Sequence, residues 1–417
     1  MFRRTLVLLL GSLALAGCVV AGQQGGYGQP NPLAFFPPAG GPPAASARPV
    51  AILLPLSGSG ADRGQAMLKG AQLALDAPGA PPLDARDTGG TPDGAAKAAH
   101  EAIGAGAAMI LGPLTSAETA AVAPIGKQGG VPVLAFTNDA AQAQPGVWTL
   151  GITPLQQVRR LVGVAQTRGA SRFAGLLPDN DFGRAMSAAL QQATAAADLP
   201  PPSIRQYARG MASINTAMRD ISDYANRGSE IDERIRAARA RGDAEGKREA
   251  AELAHSRGGV PPPPFDAVLL ADTGESLAEI ASLLSYYDVH TSSVRILGPA
   301  LWAVPSSGSG HFPGAWYAAP DPAARAGFDE RYTDKYGSPA PALSDLAFDA
   351  ASVARVFASS RYSLAALTNP EGFAGVDGLI VFQPDGQVRR GLAVFEIGSG
   401  GNSIIDPAPQ SSGAPGV

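Results

Sequence analysis

The chain has 417 residues, 32 of them basic and 36 acidic, for a net charge of −4. That mild acidity, without a basic cluster, argues against nucleic acid as a partner. A single cysteine excludes a disulfide framework, so stability must come from packing, and 45% hydrophobic residues over this length can fill more than one core. The four histidines, His100, His255, His290 and His311, are scattered with no pair at metal-ligand spacing, so neither metal nor cofactor is expected.

The chain begins with Arg3 and Arg4, an apolar run over 5–14 too short to span a bilayer, and then Leu15, Ala16, Gly17 and Cys18. This pattern resembles a lipobox, with 1–17 the signal peptide and Cys18 the lipidated residue. It predicts a protein working outside the cytoplasm, tethered to a membrane through Cys18. With Arg3 and Arg4 removed, 30 basic residues remain against 36 acidic ones, a net of −6. Residues 18–47 are rich in Gly, Gln, Pro and Ala and predict a disordered tether with an r.m.s. reach of about 30 Å. Residues 398–417 predict a second disordered end.

Between these ends the pattern alternates. VAILLP at 50–55 is a continuous apolar run, the mark of a strand buried on both faces, and helical spacing follows over 64–75. Further short apolar runs at 108–111, 131–135, 172–177, 267–271 and 294–297 are separated mostly by helical stretches. The expected class is therefore α/β, with parallel sheets joined by right-handed crossovers and, given the length of the series, two lobes. Thr115 with Glu118, and Thr153 with Pro154 and Gln156, fit capping boxes, and Asp179 to Asp181 offer caps before Phe182 and Gly183. Each start closely follows a strand, placing it at the carboxyl edge where open α/β sheets bind ligands.

LLPLSGSGADRGQAMLKGAQLAL (53–75), ILGPLTSAETAAVAP (110–124), VPVLAFTND (131–139) and PDNDFGRAM (178–186) resemble type I periplasmic binding proteins of the leucine-binding kind. FDAVLLAD (265–272), FDERYTDKYG (328–337) and LAFDAASVA (346–354) continue the likeness, which spans roughly 48–396. The resemblance implies two Rossmann-like lobes joined by three crossovers and closing on a ligand. Crossovers near 150, 320 and 368 would give lobe 1 residues 48–150 and about 321–368, and lobe 2 residues 151–320 and about 369–397.

The same resemblance implies a ligand site at Ser57, Arg63, Ser116, Thr137, Asn138, Phe182 and Asp272. Ser116 matches the serine that holds a ligand carboxylate at a helix N-terminus, and plain helix capping is the alternative. Thr137 and Asn138 lie where a strand-end loop offers polar groups. Phe182 stands at the family's usual tyrosine, as a cover over ligand or a hydrophobic seal on a helix start. Two departures weaken an amino-acid pocket. Arg63 replaces an aromatic wall, and in ILGPALW (296–302) Ala300 stands where amino-acid binders carry the acid that pairs with the ligand's ammonium. Asp272 and Asp139 are the candidates to replace that acid, without which a buried ammonium costs several kcal/mol.

The stretch 210–262 exceeds the single crossover helix that the family needs. Ile214, Met218, Ile221 and Tyr224 form an apolar stripe, and a charged segment with Glu230–Arg234 and Asp232–Arg236 pairs follows. It reads as a solvated helical arm or as a docking surface for a partner protein. The glycines at 58, 60 and 64 do not match dinucleotide spacing, and the catalytic motifs of hydrolases, P-loop proteins and zincins are missing from the sequence. The expectation is a non-enzyme.

LLPLSG, the altered pocket, ILGPALW and the lipid signal together resemble the penicillin-binding protein activators. That likeness implies regulation of peptidoglycan synthesis through contact with a synthase. Val19 after Cys18 fits outer-membrane sorting within the periplasm. The alternative is a lipoprotein receptor delivering an amino acid or small amide to an ABC permease.

Overall fold

The computed structural model describes residues 48–227, 229–255 and 261–411, with backbone alone at 229 and 230. The expected signal peptide, Cys18 and tether, and the last tail residues 412–417, lie outside the described residues.

The first lobe begins with β1 (Val50–Leu54), α1 (Ala61–Leu75), β2 (Leu83–Asp87), α2 (Pro92–Gly104), β3 (Met109–Leu111), α3 (Ser116–Gly129), β4 (Val133–Ala135) and β5 (Val147–Thr149). These strands form one parallel sheet in the order β2-β1-β3-β4-β5. The second lobe adds α4 (Pro154–Thr167), β6 (Phe173–Pro178), α5 (Asp181–Ala196), β7 (Ser203–Tyr207), α6 (Met211–Ile221), α7 (Tyr224–Arg227), α8 (Ser229–Ala240) and α9 (Ala244–His255). It continues with β8 (Ala267–Leu270), α10 (Glu275–Leu284), β9 (Arg295–Gly298) and β10 (Trp316–Ala319). Then come α11 (Pro322–Tyr336), α12 (Ser344–Ser359), α13 (Leu364–Leu367), β11 (Phe373–Gly375), β12 (Gly378–Phe382), β13 (Val388–Arg390), β14 (Ala393–Glu396) and β15 (Ser403–Asp406).

The second sheet runs β15-β14-β10-β9-β8-β6-β7, parallel from β7 to β10 and antiparallel at β14 and β15. A small antiparallel sheet, β11-β12-β13, completes the set. The fold is α/β with two lobes, as the alternating runs predict. β1 shows why: all five of its residues are buried, sandwiched between a core shared with α1 and α12 and another shared with α2 and α3. Glycine makes these approaches possible. A Cβ on Gly70 would lie 2.0 Å from the Ser344 carbonyl oxygen, and one on Gly64 would lie 2.1 Å from that of Pro55. The first seats α1 on α12, and the second seats its first turn on the end of β1.

Two expectations change. The third passage between lobes falls near 390 rather than 368, because Phe373, Ile380, Phe382 and Val388 pack into the core of the first lobe. The tail from 398 is ordered in part: β15 pairs with β14, and Asp406 meets the buried guanidinium of Arg160. Within 210–262 the apolar stripe packs on the lobe as its spacing suggests: Ile214, Met218 and Ile221 of α6 are buried, and Tyr224 on α7 stacks on Tyr286 at 5.6 Å. The added matter is a hairpin of α8 on α9, closed on Ala238 and Ala250. Arg236 there donates to the Asp232 carbonyl oxygen at 3.3 Å, and the Glu230 side chain lies outside the described residues.

Where the chain passes between lobes it is held by long-range hydrogen bonds. Trp148 Nε1 donates to the Gln383 carbonyl at 2.7 Å, and Gln156 Nε2 to that of Val388 at 2.6 Å. Arg390 Nη2 donates to the Leu150 carbonyl at 2.7 Å, while its Nη1 stands 3.7 Å from the Asp349 carboxylate. Asp349 and Asp377 are both buried, and the charge of Arg390 acts on both, with that of Arg325 acting on Asp377 as well. Burial first, and the charge of Asp377 second, raise the pKa of Asp349 above its ordinary 3.8.

A raised carboxyl pKa means that the folded state binds the proton more tightly than the unfolded chain. Stability from this group is therefore present at low pH and falls as pH rises from about 4 toward neutrality, by at most about 1.4 kcal/mol per pH unit for one proton. Asp349→Asn keeps an acceptor for the Val376 N–H, which donates at 2.7 Å. Denaturant melts across this range are expected to show a flatter profile for Asp349→Asn than for the unsubstituted protein, and equal slopes would contradict the assignment.

Candidate functional site

The expected site residues fall at the carboxyl ends of strands in both lobes. In the first lobe, β1 leads to Ser57, β3 to Ser116 and β4 to Thr137 and Asn138. In the second, β6 leads to Phe182, β8 to Asp272 and β9 to Ala300.

The N-terminus of α3 is built by its own sequence. Thr115 Oγ1 accepts from the Glu118 N–H at 3.3 Å, and Glu118 Oε2 accepts from the Thr115 N–H at 3.0 Å, a complete capping box. Glu118 is fully buried, and its other oxygen accepts from Thr88 Oγ1 at 2.6 Å, which fixes α3 against the end of β2. Ser116, one residue into the helix, donates its hydroxyl to the carboxylate of Asp139. Asp139 also accepts from the Ala141 N–H at 3.0 Å and from Gln142 Nε2 at 3.2 Å. The Ser116 hydrogen bond is the main cause holding the Asp139 carboxyl below its ordinary value. A carboxylate of the protein itself therefore takes the hydroxyl expected to hold a ligand's carboxylate. With Glu118, two negative charges already answer the positive end of this helix.

Thr137 is buried, and its hydroxyl accepts from the Asp139 N–H at 3.1 Å, shaping the turn that aims Asp139 at Ser116. Asn138 beside it is exposed. Ser57 repeats the arrangement of Ser116: its hydroxyl and N–H both bond Asp87, which also accepts from the Leu56 and Gly89 N–H groups at 2.8 Å. The Asp87 carboxyl is lowered accordingly, with the Ser57 hydroxyl the largest cause. Arg63 is exposed on the first turn of α1.

In the second lobe the expected replacement acid is occupied. Asp272 accepts from the Tyr207 hydroxyl at 2.7 Å and from the Thr273 N–H at 2.8 Å. Burial, then this hydrogen bond, raise the Tyr207 hydroxyl far above its usual range. The loop at Ala300 is pinned by Trp302, which is buried against Phe312 and donates Nε1 to the Asp272 carbonyl at 2.9 Å. The Ala300 N–H donates to Gln157 Oε1 at 2.7 Å. Phe182 is half-buried against the core under β6, α4 and α5. Asn180, rather than either flanking aspartate, caps α5, and Asp179 and Asp181 both pair with Arg184. Among the described residues no group of His, Cys, Asp and Glu could hold a metal, and no helix is long and apolar enough to cross a membrane.

Two α/β lobes, each with loops at the carboxyl ends of its parallel strands, are the architecture of a two-lobed binding-protein fold. The periplasmic binding protein family model matches residues 49–402, and the chain belongs to that family. Among curated proteins none matches it by sequence. A protein from Rhodospirillum rubrum described as a branched-chain amino acid ABC transporter is 20% identical, with TM-score 0.62, over 86% of this chain and 100% of that one. The C-domain of LpoA from Haemophilus influenzae, a regulator of PBP1A, is 15% identical, with TM-score 0.58, over 86% and 99%. A branched-chain amino acid ABC transporter ligand-binding protein from Burkholderia xenovorans is also 15% identical, with TM-score 0.59, over 88% and 97%. At these identities the likeness is one of fold.

Asp139 gains its low pKa from folding, so its contribution is present above its ordinary value of 3.8 and is lost as pH falls through the lower folded value. Ser116→Ala is expected to cost about 1 kcal/mol at pH 7, measured by urea denaturation, and to shrink this acid loss. A variant matching the unsubstituted protein at both pH 7 and pH 3 would show that the hydroxyl does not hold Asp139.

Proposed function

We propose that this chain is a non-catalytic, lipid-anchored envelope protein that regulates peptidoglycan synthesis by contacting a penicillin-binding protein. The carrying observation is the Ser116–Asp139 contact, in which an internal carboxylate takes the hydroxyl that the resemblance assigns to a ligand's carboxylate. Three further features support the reading: Ala300 in place of an acid, the engagement of Asp272 by Tyr207, and the helical hairpin α8–α9 on the second lobe. The periplasm is the compartment natural to this family, and Cys18 with Val19 favours an anchor in the outer membrane.

The second reading, a solute receptor for an ABC permease, draws on the hydroxyls of Ser57, Ser116 and Thr137 at the strand ends. It requires Asp139 to swing away from α3. The two readings separate in a reconstituted glycan-synthesis assay with purified penicillin-binding proteins. Addition of this protein is expected to increase the rate of polymerisation or cross-linking, and to co-sediment with the responsive synthase. No change in rate with any synthase of the same cell would refute the regulator reading.

A further inference from the structure

A cavity of about 140 Å³ lies where α4 of the second lobe meets the turn between β12 and β13. At about 30 Å³ per water, it has room for a small polyatomic ion. Arg159 from α4 and Arg389 from β13 both line it, together with Gln192, Gln383, Gln387 and Asp385. Both arginines are half-buried. Among the described residues neither guanidinium has a hydrogen bond or an ion pair, in contrast to Arg160 and Arg390 one residue along, which are both engaged. Asp385, the one carboxylate on the rim, is exposed, and its Oδ1 accepts from the Gln387 N–H at 2.9 Å.

An arginine stays protonated at any physiological pH, so this cavity holds two like charges removed in part from water. Desolvation and the charge of Arg389 both work against the charge on Arg159. Two guanidinium forks with amide side chains beside them form a donor set suited to the oxygens of a phosphate or carboxylate. We propose that this cavity is an oxyanion site, in which Arg159 and Arg389 clamp a phosphoryl or carboxylate group. Because one arginine belongs to α4 and the other to the strand where the chain makes its third passage, the bound anion ties the lobes together on the α4 side of the hinge. The site stands apart from Ser116 and Asp139 and does not depend on the proposed partner.

Inorganic phosphate and acetate, each titrated into the full chain at constant ionic strength against chloride, test this by thermal shift and calorimetry. The expected result is a saturable rise in melting temperature with phosphate, acetate or both. A response to phosphate alone assigns a tetrahedral phosphoryl ligand, and a response to acetate alone a planar carboxylate. Arg389→Gln and Arg159→Gln should each raise the half-saturating concentration at least tenfold, whereas Arg205→Gln, at an exposed arginine on β7, should leave it unchanged. In anion-free buffer Arg389→Gln should melt no lower than the unsubstituted protein, since it removes a repulsion. A lower melting temperature there, no saturable response in the unsubstituted protein, or an undiminished response in the two variants would overturn the proposal.

Discussion

Arg390 carries the constraint on which the two-lobed arrangement rests. Its side chain is fully buried, donates to the Leu150 carbonyl at the first passage between lobes, and faces Asp349 on α12. One guanidinium thus joins the first passage, the third passage and the helix packed on α1. Arg160 does the equivalent work in the second lobe, reaching the carbonyls of Leu392 and Pro407 and the carboxylate of Asp406. A buried charge that loses its partner typically costs about 3–5 kcal/mol, so these two side chains dictate where the chain can turn between lobes. They also explain why the C-terminal segment is held as a strand although its composition reads as a loose end.

The same economy of charge shapes the cleft. A helix N-terminus at the end of a parallel strand attracts an anion, and in α3 the protein supplies its own through Glu118 and Asp139. In the facing lobe Asp272 is held by Tyr207 and Thr273, so the acid that could attract an ammonium is already bonded. Both groups that the resemblance would offer to an amino-acid zwitterion are thus bonded within the protein. The α8–α9 hairpin stands apart from these groups, on the second lobe.

Much of this fold was legible in the sequence because its signals are local. The apolar runs of β1, β6 and β8 and the capping boxes at Thr115–Glu118 and Thr153–Gln156 depend on neighbours within a few residues. β2 escaped detection because its sequence, LDARD, is an edge strand with two of its five residues exposed and none fully buried. The third passage and β15 were misplaced for a different reason. They are fixed by Arg390 and Arg160, whose type reads as surface and whose carbonyl partners at Leu150 and Leu392 lie more than 200 residues away. In the cleft the sequence marked Ser116, Thr137, Asn138 and Asp272 by likeness and weighed Asp139 as a partner for an ammonium. The Ser116–Asp139 contact spans 23 residues and has no periodic signature, so only the folded loop reveals it. Ser57 likewise gave no hint of Asp87.

The account stands most directly on whether the cleft takes an amino acid. Isothermal titration of the full chain with leucine, isoleucine, valine and small amides, paired with thermal denaturation at millimolar ligand, decides this. The internally satisfied cleft predicts no heat of binding and no shift in melting temperature across the panel. A saturable heat with any of them, accompanied by stabilisation of about 4 kcal/mol at a thousandfold excess over Kd, would mean that Asp139 yields its place to the ligand, and the account would be contradicted.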